Sequence, residues 1–122
     1  MINILAHTLT TPQLSELGGE PIHIKVIDAA LAAKIANCPP SAAELEAMAA
    51  SLCQIALAHG TRILAGSGSP AFTAVLGREA ARTGVVLVFA HSERVSVDAV
   101  QADGSIRKVS EFRHVRFFEV TA

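Results

Sequence analysis

The sequence predicts an α/β fold: a mostly parallel sheet flanked by helices, with a C-terminal antiparallel β-hairpin. Three observations predict it. Short apolar runs alternate with helical patterns along the chain. One run, Val85–Ala90, is apolar on both faces, as a strand inside a parallel sheet is. Asp103-Gly104 sits between two strand-like segments, a strong hairpin signal.

Ile2–Leu5 is the first predicted strand, ending at Ala6-His7. Thr11 reads as a helix N-cap with Pro12 at the first helical position, and Gly18-Gly19 ends that helix. Ile22–Ile27 reads as the second strand, with Ile22, Ile24 and Val26 on one face. A short helix over Ala29–Ala36 stops at Asn37-Cys38-Pro39-Pro40. Ser41 and Glu44 form a capping-box pattern ahead of Leu45, Met48, Ala49, Leu52 and Ala56, which recur at helical spacing. Gly60 ends that helix, and Arg62–Ala65 is a short buried strand. Ser69 caps the next helix, Phe72, Val75, Leu76 and Ala80 form its apolar face, and Gly84 closes it. After Val85–Ala90, the polar stretch His91-Ser92-Glu93-Arg94 reads as a loop. Val95, Val97 and Ala99 then alternate with polar residues, and the last strand runs from about Ser105 to Val120.

The 122 residues are one domain's worth of chain and enough to bury a core. Hydrophobic residues make up 51% and charged residues 17%, which argues against disorder. Ten Lys and Arg against eleven Asp and Glu give a net charge of −1, so a protein that coats long nucleic acid is not expected. There is no Trp or Tyr, which disfavours single-strand binding on stacked aromatics. No apolar run approaches the ~20 residues needed to span a bilayer, and no leader peptide pattern stands at Met1–Ala6. Cys38 and Cys53 lie outside any C-x-x-C pair and read as small hydrophobes, so the cytoplasm is the expected compartment.

Ligands of such sheets sit beyond the carboxyl ends of the parallel strands. That rule singles out Ala6–Thr10, the segment from Asp28, Gly66–Pro70 and Ala90–Arg94. Gly66-Ser67-Gly68-Ser69 joins a strand to a helix N-terminus, where free amides favour phosphate. It lacks the full dinucleotide and P-loop patterns, so an ordinary capped turn is the competing reading. His7 or His91 can act as general acid or base, with an unperturbed pKa of about 6.5. Arg94 can neutralise a phosphate, or simply pair with Glu93. The histidines show no metal-ligand spacing, so neither a metal nor another cofactor is expected. Residues 104–116 hold four basic residues against Glu111 alone, either a local anion strip or a solvated edge. On an ideal strand Phe112, His114 and Arg116 would share one face.

Taken in order, several motifs resemble a known family. They are Ala6-His7-Thr8-Leu9-Thr10, the Asn37-Cys38-Pro39-Pro40 break, and Ile63-Leu64-Ala65-Gly66-Ser67-Gly68. The segments Phe89-Ala90-His91-Ser92-Glu93-Arg94 and Asp103-Gly104 through Phe112-Arg113-His114-Val115-Arg116-Phe117 complete the pattern. Together they resemble the small CRISPR-associated proteins called Csx-twenty, of type III systems, over nearly the whole chain. The resemblance implies a single Rossmann-like, CARF-like domain over residues 1–122 that forms a homodimer and binds cyclic oligoadenylate. It also implies ring-nuclease activity on cyclic tetra-adenylate, the messenger that switches on type III effector nucleases. One departure stands out: relatives are expected to carry Gly-Asp after the third strand, where this chain has Gly66-Ser67.

The expected mechanism calls on no metal. A ribose 2′-hydroxyl attacks the adjacent phosphorus, the 5′-oxygen leaves, and linear di-adenylates with 2′,3′-cyclic phosphates result. Gly66, Ser67, Gly68 and Ser69 are expected to cradle phosphate, with Thr8 and Thr10 lining the same pocket. His7, His91, Ser92 and Arg94 are the expected catalytic residues, and His114 and Arg116 further ligand contacts. The alternatives are a module that binds the messenger without cutting it, a small enzyme of another phosphorylated metabolite, and a structural dimer.

Overall fold

The computed structural model describes residues 1–121 and has an α/β fold. In chain order the elements are β1 (Ile2–Asn3), α1 (Thr11–Leu17), β2 (Ile22–His23), α2 (Ile24–Ile27) and α3 (Ala29–Ala36). They continue with α4 (Ala42–Ala58), β3 (Arg62–Leu64), α5 (Pro70–Thr83), β4 (Val86–Val100) and β5 (Ile106–Val120). The strands hydrogen-bond in the order β2-β1-β3-β4-β5. The sheet is mixed: β1 lies parallel to β2 and β3, β3 lies parallel to β4, and β4 pairs antiparallel with β5.

Alternation along the short strands sends side chains to two apolar layers. Ile2, Ile4, Ile63, Ala65 and Leu87 join Leu31, Ile35, Leu52, Phe72 and Leu76 of α3, α4 and α5 on one face. Leu5, Leu64 and Val88 meet Leu14 and Leu17 of α1, and Phe117 of β5, on the other. Cys53 is fully buried and Cys38 partly so, both as free thiols.

The helix starts follow local chemistry. Ser41 Oγ accepts the Glu44 amide at 3.3 Å, and Ser69 Oγ accepts the Phe72 amide at 3.1 Å, as their cap positions predict. For α1 the cap is one residue earlier than expected. Thr10, not Thr11, accepts the Gln13 amide at 3.4 Å, while its own amide donates to Gln13 Oε1 at 3.0 Å.

The strand expected over Ile22–Ile27 is two residues of strand followed by the single turn of α2. β1 pairs with only Ile22 and His23, so a longer edge strand would have no backbone partner. The turn is closed instead by His23 Nδ1, which accepts the Lys25 amide at 3.1 Å, and by the Asp28 amide, which donates to Ile24 at 2.8 Å. Ile24 is consequently buried while Ile22 and Val26 are exposed, so the three do not share a face.

The loop expected at His91–Arg94 is also overturned. β4 runs unbroken from Val86 to Val100. Its pairing with β3 ends at Leu64–Val88, and beyond that level only β5 lies beside it. The pair continues as a two-stranded ribbon past the sheet edge. With both faces solvated, no apolar alternation is required of His91–Arg94, so a polar strand reads as a loop. A register shift between His91 and Ser92 leaves Val115 without a partner. The shift also breaks the expected sharing of one face by Phe112, His114 and Arg116. His114 instead meets Phe117, three residues on, with ring centroids 4.7 Å apart. The hairpin turn forms where Asp103-Gly104 places it, with Gln101 and Ser105 closing it at 2.7 Å.

No helix among the described residues is long and apolar enough to cross a membrane.

Candidate functional site

After β1 the chain crosses to α1 on one face, and after β2 it crosses to α3 and α4 on the other. The loops that follow β1 and β3 therefore meet over adjacent strand ends, where open α/β sheets bind ligands. They are joined directly: the Ala6 amide donates to Ser67 Oγ at 2.9 Å across 61 positions of sequence.

Two of the expected ligand segments thus come together. In the β3 loop, each serine hydroxyl is already engaged: Ser67 Oγ by Ala6, and Ser69 Oγ as the α5 cap. The Ser69 amide donates to Cys38 Sγ at 3.4 Å. The amides of Gly66, Ser67 and Gly68 donate to no protein acceptor among the described residues. Gly66 and Gly68 have positive φ, 125° and 92°, a backbone that glycine adopts without strain.

On the other side of the β1 loop lies a cleft of about 430 Å³, walled by Asn3, His7, Thr8, Glu20, His23 and Lys25 among others. A smaller cavity of about 160 Å³ reaches Ser67 and Gly68 and shares Leu5, Ala6 and His23 with the cleft. The β1 loop therefore separates two hollows of one crevice.

The two histidines there differ in their bonds. His7 Nδ1 lies 3.1 Å from the Thr8 carbonyl, which only accepts, so Nδ1 holds the proton and Nε2 is free. His23 has both nitrogens occupied: Nδ1 accepts the Lys25 amide, and Nε2 donates to the Leu5 carbonyl at 2.8 Å. His7 is thus the base-competent ring of the crevice, and His23 a structural one. Thr8 lines the larger cleft, which none of Gly66–Ser69 reaches, whereas the Thr10 side chain is engaged as the α1 cap.

His91, Ser92 and Arg94 stand on β4 where it becomes the ribbon, and no hydrogen bond joins them to the β1 or β3 loops. Arg94 packs over the Phe112 ring at 5.8 Å. Arg116 is exposed opposite His91. His114 is no surface contact: its side chain is 6% exposed and its Nε2 lies 2.8 Å from Glu16 Oε1. The Phe117 amide, then His114, hold the Glu16 carboxyl below its ordinary pKa.

Sequence reasoning missed Asn3, His23 and Lys25. Asn3 could have been found, because it is the one polar residue within the apolar run Ile2–Leu5. His23 and Lys25 were hidden by reading Ile22–Ile27 as a regular strand. No group of three or more His, Cys, Asp and Glu among the described residues is arranged to hold a metal ion.

The fold and crevice define an α/β protein with a ligand-sized hollow at the carboxyl edge of its sheet. The chain belongs to the Uncharacterized protein MJ1673 family, whose model matches residues 1–118. No curated protein and no solved structure matches it.

Proposed function

We propose that this chain is a ring nuclease of cyclic tetra-adenylate, with a Rossmann-like, CARF-like fold, acting as a homodimer in the cytoplasm to end type III CRISPR signalling. The observation that carries the reading is the bond joining the β1 and β3 loops, with unpartnered amides at Gly66–Gly68 on one side of the β1 loop and a free His7 Nε2 on the other. Such amides suit a phosphate, and the imidazole suits its neighbouring hydroxyl.

In this reading His7 takes the proton of a ribose 2′-hydroxyl. The 2′-oxygen bonds to the adjacent phosphorus, and the P–O5′ bond breaks. The departing oxygen takes up a proton, leaving a 2′,3′-cyclic phosphate; two such cuts give two linear di-adenylates. Holding the attacking oxygen in line supplies part of the barrier, up to roughly 7–11 kcal/mol in the best cases. Amide contacts to the developing charge supply more. A two-fold dimer would offer two copies of each loop to a ligand of matching symmetry. Ser92, Arg94 and His91 would then act from the ribbon, which rises from the same sheet edge.

One observation favours a second reading, binding without cutting: three of the four expected catalytic residues stand on the ribbon and not in the crevice. Incubation with cyclic tetra-adenylate and excess EDTA, followed by chromatography, separates the two. Linear di-adenylates formed over many turnovers support the nuclease. An intact ring held stoichiometrically selects the binding module, and no binding overturns both.

A further inference from the structure

We infer that Asn3 and Lys25 form a phosphate-oxygen subsite for one nucleotide unit on the β2 side of the crevice. The inference rests on the reading that this crevice takes a nucleotide.

Asn3 is 6% exposed, in the middle of an apolar strand run. Burying a carboxamide there is costly unless its groups are bonded. One end is: Oδ1 accepts the Leu5 amide at 2.9 Å, which fixes the orientation of the group. The opposite end, Nδ2, donates to no protein atom among the described residues. It is not sealed from solvent either, and Asn3 lines the cleft. A donor held in one orientation on a cleft-lining residue, with no protein acceptor among the described residues, calls for an acceptor from outside the protein.

Lys25 supplies the charge. It is exposed on the same cleft wall and forms no ion pair among the described residues. His23 cannot share this role, because both its nitrogens are bonded to backbone. An ammonium and a neutral carboxamide donor on residues of one cleft match an anionic, acceptor-rich group. The same cleft offers Pro21, Ile22 and Val26 as apolar wall, and Glu20 as an acceptor for hydroxyl or amine. Donors, acceptor and apolar surface together fit a nucleotide better than a bare anion. About 430 Å³ holds one nucleotide unit, not a whole four-membered ring.

The test is a set of calorimetric titrations with cyclic tetra-adenylate, adenosine monophosphate and adenosine. Wild type is compared with Asn3→Asp and Lys25→Met. Asn3→Asp keeps the acceptor for the Leu5 amide but replaces the free donor by a carboxylate oxygen. Each variant is expected to weaken both phosphorylated probes by about tenfold or more and to leave adenosine unchanged. Variants that bind the phosphorylated probes like wild type overturn the subsite while the cyclic-messenger reading stands. Wild-type binding of the monophosphate alone, lost in the variants, keeps the subsite and removes the cyclic messenger. Binding of no probe overturns both. If Asn3→Asp fails to fold, Lys25→Met, at an exposed position, decides alone.

Discussion

His114 Nε2 lies 2.8 Å from Glu16 Oε1, and the other Glu16 oxygen accepts the Phe117 amide at 2.7 Å. A single carboxylate therefore ties α1 to β5 on both sides of the unpartnered Val115. Because these bonds lower the Glu16 pKa in the folded state, their contribution to stability is fully present above the ordinary glutamate value, about 4.3. It is lost as pH falls through the lower, folded value. Glu16→Gln is expected to flatten the acid side of the stability profile and to lower Tm at pH 7, read by thermal melts from pH 7 to pH 3.

Ser67→Ala removes the acceptor of the Ala6 amide. That bond is exposed, so its loss should cost less than about 1 kcal/mol of stability. Affinity for cyclic tetra-adenylate should fall by more than that, because the two loops lose their alignment. Urea denaturation and a binding titration on the same sample give both numbers.

Gly68 and Gly66 both have positive φ, but only Gly68 is crowded. An added Cβ there would meet Phe72 Cδ2 at 2.8 Å, against 3.7 Å to Leu5 Cδ2 at Gly66. Gly68→Ala should destabilise by about 1–3 kcal/mol from overpacking, beyond the backbone strain. Gly66→Ala should cost only that strain, about 1–3 kcal/mol. Equal losses in urea denaturation would contradict the difference in packing.

His7 and His23 line the same cleft and should behave oppositely. His7→Ala should leave Tm unchanged, since the residue is exposed, and should slow ring opening by about 10²–10⁴. His23→Ala removes a cap and a loop tie, and should cost about 1 kcal/mol or more of stability. Melting curves beside single-turnover assays separate the two roles.

Much of the architecture was legible because its signals are local. Ser41, Ser69, Gly18 and Gly84 bond or bend the backbone within a turn of themselves, so they mark helix ends without knowledge of the fold. The errors arose where tertiary partners decide. Ile22–Ile27 has the composition of a strand, but β1 offers it only two residues of pairing. His91–Arg94 has the composition of a loop, but β5 pairs with it throughout. The crevice was half legible for the same reason. The carboxyl-end rule points to the β1 and β3 loops, which do meet, while Thr10 and His114 are engaged in internal bonds. Asn3, the most informative polar residue of the crevice, was passed over inside an apolar run.

Neither apolar layer takes a residue from the ribbon between His91 and Arg116, and Val100, Ile106 and Phe112 are 75%, 66% and 73% exposed. A lone pair of strands has little to hold it. Outward of the Glu16 tie, the arm is therefore expected to fray at a lower free energy than the helical layers, a difference amide exchange would read. A ligand that touched both the crevice and the arm would slow amide exchange in the arm first.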